Sequence, residues 1–151
     1  MIATIRNTQR KVGDAVQPFV LLVLRLIIGY GFLRSGYLKI THLEQTTKFF
    51  ANIGIPMPEI NAMVSSVFEM VCGTAVMLGL ATRVASAIGI FILLVAIVTN
   101  HLDQVSKLFS EPGVFIVAAP IPYMMLFLMF ISVGPGKLSL DQVLALESDD
   151  R

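Results

Sequence analysis

The chain has too few charged residues for a soluble domain of its size. Only 14% of its 151 residues are charged, 56% are hydrophobic, and the mean hydropathy is +0.81. Soluble domains carry about 25% charged residues, and disordered chains are poor in apolar ones. The composition therefore excludes both classes and predicts a small integral membrane protein whose main surroundings are the lipid bilayer.

Other absences exclude several functions. A single cysteine, Cys72, can form neither an internal disulfide nor a Cys-based metal cluster. The net charge is +1 and no basic cluster exceeds Arg10-Lys11, so we expect no nucleic acid partner. There is no Walker loop, no GxGxxG motif opening a helix, no CxxC motif and no Ser-His-Asp arrangement. We therefore expect an accessory subunit rather than a self-sufficient enzyme, with no covalently bound cofactor and no metal.

Four windows are long and apolar enough to cross a bilayer, which takes about 20 mostly apolar residues. They cover residues 18–38, 60–80, 84–102 and 114–133. The windows lack the alternation of barrel strands, so helices are favoured. The sequence predicts an all-α, four-helix membrane bundle that forms one domain over residues 1–151. Pro120 and Pro122 should bend the outer third of the fourth span.

The loop charges predict the orientation of these spans, because cytoplasmic loops carry an excess of Lys and Arg. Three lysines lie on one side of the predicted membrane: Lys39, Lys48 and Lys107. Six basic residues lie on the other side: Arg6, Arg10, Lys11, Arg83, Lys137 and Arg151. Both termini are therefore predicted to lie in the cytoplasm.

The two outer loops share a similar segment. Residues 41–50 read THLEQTTKFF and residues 100–109 read NHLDQVSKLF. An internal two-helix repeat would leave such a match, and chance is the alternative. Both segments carry an acid and a lysine at i and i+4, which favours short interfacial helices. Ser139 with Gln142 forms a capping box and predicts a further amphipathic helix on the cytoplasmic surface.

Arg25 and Glu69 are charges inside predicted spans, where each costs about 2.5–3.5 kcal/mol on insertion scales. Their depths and their small-residue faces predict that they pair. Two interpretations stay open: a structural ion pair that joins the first two spans, or charges that line a pocket for a ligand or a quinone headgroup. Lys39, on the same helix face as Arg25, is a third candidate for that pocket.

The two histidines, His42 and His101, occupy equivalent places in the two similar segments. A metal site or a proton relay at the outer face is one interpretation of this pair. Because two histidines without a third strong ligand make a weak site, solvated interfacial side chains are the favoured interpretation.

Several separated motifs are shared with one family. They are R-x3-G-x2-F-x2-SG-x2-K from Arg25 to Lys39, GIPMP at 54–58, Glu69 with Gly73, GLATR at 79–83 and GPG…S-x-D ending at Asp141. In this order they resemble the DoxX family of four-helix bacterial inner-membrane proteins, from about Phe19 to Gln142. The resemblance implies a multi-pass protein of the bacterial cytoplasmic membrane.

The resemblance also implies a function. Relatives include the small membrane subunit of a thiosulfate:quinone oxidoreductase, which implies quinone-linked sulfur or thiol redox chemistry, a quinone ligand and a redox or accessory protein partner. The competing hypothesis is a non-catalytic membrane carrier, scaffold or maturation factor for a neighbouring protein. A homo-oligomer stays open under either hypothesis.

Overall fold

The structure is a computed structural model that describes the backbone of residues 2–149 and the side chains of residues 11–145. Within this part of the chain every regular element is helical. The elements are α1 Ile2–Thr41, α2 Leu43–Asn52, α3 Pro58–Leu78, α4 Thr82–Ala96, a π turn Ile97–His101, α5 Leu102–Ser106, α6 Pro112–Val117, α7 Pro120–Val133 and α8 Leu140–Asp149.

Three helical stretches are long and apolar enough to cross a membrane. They are Lys11–Thr41, Pro58–Leu78 and Thr82–Ser106. Each contains most of one of the first three predicted spans, with ends that differ by a few residues. The all-α membrane bundle is therefore confirmed as a fold class.

The fourth predicted span is divided into two helices, α6 and α7. Ala118 has φ −59° and ψ 115°, which ends α6, and α7 begins at Pro120. Proline has no backbone N–H and fits the first turn of a helix, so the chain restarts there. The predicted bend is confirmed, but a continuous helix over 114–133 is wrong. The apolar helix α7 has 14 residues and is about 21 Å long, less than a bilayer core.

Glycines bring α1 and α3 into close antiparallel contact. A Cβ atom at Gly73 would lie 2.5 Å from the backbone nitrogen of Leu33 and 2.6 Å from the carbonyl oxygen of Gly29. At Gly36 it would lie 2.5 Å from the carbonyl oxygen of Ser66. Such contacts suit helices in lipid, where close packing replaces the hydrophobic effect. Helix α1 is thereby fixed against α3 along much of its length.

The remaining helices complete the bundle around its main apolar core, and a smaller apolar cluster lies beside it: Ile97, Ala118 and Ile121. Helix α4 packs on α3, and α7 packs on α4. The ring of Phe32 in α1 meets that of Phe127 in α7 edge-on, with centroids 5.1 Å apart. Both rings are buried, and Leu21, Val76 and Phe130 join them in the same core. The four segments predicted to span the membrane therefore share one interior.

The two similar loop segments both form helical structure. In the first, Lys48 and Glu44 of α2 form the expected i,i+4 ion pair at 2.6 Å. In the second, α5 ends at Ser106, so Lys107 lies beyond the helix and pairs with Glu111 at 3.6 Å. The expected pair of Lys107 with Asp103 is therefore wrong.

The capping box before α8 is confirmed in part. The backbone N–H of Gln142 donates to Oγ of Ser139 at 3.3 Å. Helix α8 then runs over Leu140–Asp149. The amphipathic helix predicted after the fourth span is therefore present.

The orientation stays a prediction, and it has a direct test. Arg151 and the side chains of Arg6 and Arg10, which enter the charge count, lie outside the described residues. Lys48 and Arg83 are both exposed, at opposite ends of the bundle. Cysteines introduced at these two positions in a Cys72→Ala background should react differently with a membrane-impermeant thiol reagent added to intact cells. We expect labelling at position 48 alone, and labelling at both positions would contradict the topology.

Candidate functional site

A cavity of about 1120 Å³ lies at the end of the bundle that carries α2 and the π turn. Helices α1, α2, α3, α4 and the start of α7 all contribute to its walls. The lining is mostly aliphatic and aromatic, with a small set of polar side chains. Ligand pockets have this composition and volumes of about 300–1,000 Å³, so the cavity can hold a small molecule.

An ion pair between Lys39 and Glu69 forms part of the cavity wall. The Nζ atom of Lys39 contacts Oε1 of Glu69 and donates a hydrogen bond to it. The side chain of Glu69 is 4% exposed and that of Lys39 is 31% exposed. The second carboxylate oxygen, Oε2, is buried and has no hydrogen-bond partner within the described chain. The wall therefore carries a paired charge with one acceptor left over.

The predicted pair of Arg25 with Glu69 is wrong. At the opposite end of the bundle, Nη2 of Arg25 donates to the carbonyl oxygen of Leu138. Arg25 is 1% exposed and does not line the cavity. Glu69 takes Lys39 as its partner instead. Of the three charged candidates, two come together at the cavity and the third does not.

The direction of the side chains explains this choice of partner. Gly36 lies beside Ser66, so Glu69 is level with that part of α1. Glu69 lies three residues beyond Ser66 in the direction of Arg25. Along the helix axis Arg25 is therefore about 12 Å, and Lys39 about 9 Å, from the level of Glu69, at 1.5 Å per residue. Side chains tilt toward the N-terminus of their own helix, so Lys39 and Glu69 converge across the antiparallel pair. Arg25 tilts the other way, toward the turn between α3 and α4.

Arg25 instead belongs to a cluster at the α3–α4 turn. Ala81 has φ +45°, a left-handed conformation that is strained for a residue with a Cβ. The carboxylate of Asp141 accepts the backbone N–H groups of Ala81 at 2.6 Å and Thr82 at 3.0 Å. The N–H of Asp141 donates to the carbonyl oxygen of Gly79 at 2.9 Å. The first turn of α8 is thus fastened to the α3–α4 turn, and Arg25 contacts Leu138, which lies just before α8.

Asp141 acts as a helix cap supplied from a distant part of the chain, and its loss should destabilise the bundle. Caps of this kind contribute about 0.5–2 kcal/mol. We expect Asp141→Ala to lower the free energy of unfolding by that amount. A thiol-reactive fluorogenic dye can follow thermal unfolding in detergent, because the single cysteine is 2% exposed. Asp103→Ala, at an exposed position, is the control, and an equal loss in both variants would contradict the capping role.

The two histidines lie on the wall of the same cavity. His42 follows α1, and its Nδ1 lies 3.1 Å from the carbonyl oxygen of Leu38. His101 ends the π turn, and its Nδ1 is buried without a partner within the described chain. No group of three His, Cys, Asp or Glu side chains in the described residues could hold a metal ion. The two histidines of the similar segments therefore line the same cavity, as part of its wall.

The sequence interpretation missed most of this wall. The π turn places Thr99 and Asn100 on the cavity beside His101. Such turns occur often at functional sites, but no residue pattern in the apolar run 84–102 marks one. Phe68 and Phe91 also line the cavity, and a period of apolar residues does not separate a cavity wall from a lipid-facing surface. Two signals in the sequence point to this end of the bundle: the pocket candidates Lys39 and Glu69, and the repeated histidine segment.

Comparison with known proteins identifies several relatives. The inner membrane protein YphA of Escherichia coli (strain K12) is 27% identical over 129 residues, which cover 85% of this chain and 92% of YphA. The membrane protein Rv3486 of Mycobacterium tuberculosis (strain ATCC 25618 / H37Rv) is 34% identical over 140 residues, which cover 85% of this chain and 83% of Rv3486. CatD of Bacillus subtilis (strain 168), named a putative oxidoreductase, is 37% identical over 81 residues, which cover 54% of this chain and 59% of CatD.

No solved structure is significantly similar to the chain. The model of the DoxX family matches residues 20–102, which is more than half of the chain. This match includes Arg25, Lys39, His42, Glu69 and His101. By this match and by its similarity to Rv3486, the chain belongs to the DoxX family.

Proposed function

We propose that the chain is a small subunit of a quinone-linked oxidoreductase in a bacterial inner membrane and that its cavity binds the quinone headgroup. The observation that carries the proposal is the Lys39–Glu69 pair in the wall of a largely apolar cavity. A buried charge pair inside a membrane bundle is costly and commonly marks a ligand or proton pathway. The name of CatD, a relative over part of the chain, supports a redox setting.

The pair offers a hydrogen-bond donor for the carbonyl of a quinone and an acceptor for the hydroxyl of the reduced quinol. The ammonium of Lys39 is partly exposed, so it can donate to a carbonyl oxygen. Oε2 of Glu69 is free to accept a proton-bearing hydroxyl. When bound, a quinone supplies a reversible acceptor of electrons and protons. Cys72 has no second cysteine beside it, so the electrons must come from a partner protein.

The proposal predicts that the pair contributes to the affinity for a quinone. The purified full chain in lipid nanodiscs should bind decyl-benzoquinone saturably, measured by equilibrium dialysis. Hydrogen bonds to charged groups contribute about 1.5–3 kcal/mol. Lys39→Met should therefore raise the Kd of decyl-benzoquinone about 10- to 100-fold, and Glu69→Gln should raise that of its reduced form, decyl-benzoquinol, by a similar factor. Glu44→Gln is the control, because it breaks an exposed pair outside the cavity.

The same measurement separates the proposal from the competing hypothesis of a carrier or scaffold. The proposal of a quinone site is supported if the unaltered chain binds saturably and both cavity variants bind more weakly. Glu44→Gln should bind as tightly as the unaltered chain. Absence of saturable binding in the unaltered chain would contradict it. A redox subunit should also copurify with a catalytic partner and change the rate of quinone reduction by that partner.

A further inference from the structure

The cavity has an opening on the side of the bundle. Five large apolar side chains that line it are also exposed at the surface: Phe49 by 47%, Val64 by 44%, Phe68 by 44%, Phe91 by 67% and Val95 by 41%. A side chain that is both exposed and part of a cavity wall lies at the rim of that cavity. Two of the five belong to α3, two to α4 and one to α2. One part of the rim therefore lies between α3 and α4.

In a bundle whose α3 and α4 cross the bilayer, the part of the opening between them faces the interior of the membrane. Helices α3 and α4 are joined by a tight turn at 79–81, and both are among the helices able to cross a membrane. The rim residues of α3 and α4 lie well inside these helices, away from the turn. Large exposed aromatic and aliphatic side chains at that depth contact hydrocarbon rather than water. A molecule dissolved in the bilayer can thus reach the cavity without passing through water.

The polar and apolar parts of the cavity are arranged for an amphiphile. The Lys39–Glu69 pair lies in the wall, and Glu69 keeps one buried oxygen, Oε2, without a partner in the described chain. The part of the rim between α3 and α4, in contrast, is apolar, whereas the exposed polar lining residues His42, Gln45 and Asn100 belong to the residue before α2, to α2 and to the π turn. A polar headgroup at the ion pair would leave an attached chain directed to the rim.

We propose that the cavity takes an amphiphile directly from the bilayer through the opening between α3 and α4, with the headgroup at Lys39–Glu69 and the apolar chain between Phe68 and Phe91. This inference rests on the proposed function for the quinone headgroup and adds the entry route and the position of the chain. A compact water-soluble molecule has no apolar chain to bury against such a rim, so the rim would not raise its affinity. The site therefore selects ligands by an apolar chain as well as by a headgroup.

A single tryptophan at the rim tests this position, since the chain has none. The probe is decyl-benzoquinone with bromine near the end of the decyl chain, compared with the unbrominated compound in nanodiscs. We expect bromine to cause an additional, saturable loss of indole emission in Phe91→Trp. An excess of the unbrominated compound should reverse this loss. With the probe reduced to the quinol, adding Glu69→Gln should raise the half-saturating concentration about tenfold or more, because the quinol hydroxyl then loses its carboxylate acceptor.

Leu94→Trp is the matched control, because Leu94 is on the same helix and 45% exposed but does not line the cavity. It should show only the linear quenching caused by probe dissolved in the lipid. Phe68→Trp, with Val71→Trp as its control, repeats the test on α3 if Phe91→Trp does not fold. Val71 is 60% exposed and also absent from the lining.

The outcomes separate the entry route from the proposed function. One outcome is that the quinone binds saturably by dialysis while bromine quenches neither rim tryptophan more than the control tryptophans. That result would overturn the entry route and leave the quinone proposal standing. If the quinone does not bind, a phospholipid with brominated acyl chains is the second probe. If that lipid quenches only the rim tryptophans, and does so saturably, the entry route is supported with a lipid as the occupant. Equal quenching at the rim and control positions overturns the entry route.

Discussion

Lys39→Met should destabilise the bundle strongly, and adding Glu69→Gln to it should restore much of the loss. The single change leaves the carboxylate of Glu69, 4% exposed, without its countercharge. Removing one member of a buried pair costs about 3–5 kcal/mol, whereas removing both leaves no uncompensated charge. Thermal unfolding followed through the buried thiol of Cys72 measures both effects in the same detergent.

Two further measurements control this result. Lys48→Met breaks the exposed pair with Glu44 and should change the free energy of unfolding by less than about 1 kcal/mol. Arg25→Leu destabilises for a different reason, since its bond is to Leu138. Its effect should therefore add to that of Glu69→Gln without coupling. A strong coupling of Arg25 with Glu69, and none of Lys39 with Glu69, would show that the observed pairing is wrong.

The membrane bundle and its main breaks follow from composition and from single residues. Apolar windows give three spans to within a few residues because only helices satisfy the backbone inside lipid. The pair Pro120 and Pro122 gives the break before α7, because the missing N–H acts locally. These features depend on short stretches of sequence. They need no knowledge of how the helices meet.

The partner of Glu69 could not be found in the same way. Spacing along α1 places Arg25 and Lys39 on one face, but it does not fix the offset between α1 and α3. That offset follows from the close contacts at Gly29, Gly36 and Gly73, which are visible only in three dimensions. The tilt of side chains toward each N-terminus then decides between two basic residues on one face.

The cavity could be anticipated only in part, from the charged candidates Lys39 and Glu69 and from the pattern shared by the two outer segments. His42 and His101 repeat the same context, and both line the cavity. The repeated pattern does not indicate the π turn, which shifts Asn100 and His101 relative to their positions in a regular helix. A cavity is also a property of the spaces between helices, so no single helix face reveals it.

Gly73→Ala should lower the stability of the bundle, although alanine is the better helix former. Its Cβ would lie 2.5 Å from the backbone nitrogen of Leu33 and 2.6 Å from the carbonyl oxygen of Gly29. Both neighbours are backbone atoms, so the helices themselves must move apart. Overpacking costs about 1–3 kcal/mol. We therefore expect the free energy of unfolding to fall by about that amount, which lowers the melting temperature.

Gly13→Ala is the matched control, because it lies in α1 with no neighbouring atom within 4 Å of an added Cβ. Replacing a glycine inside a helix by alanine stabilises by about 0.5–1 kcal/mol, so the two variants should shift the melting temperature in opposite directions. Separation of α1 from α3 also moves Lys39 away from Glu69. Gly73→Ala should therefore reduce the coupling energy of that pair in a double-mutant cycle, while Gly13→Ala leaves it unchanged. Equal shifts in both glycine variants would show that the contact at Gly73 does not set the spacing of the two helices.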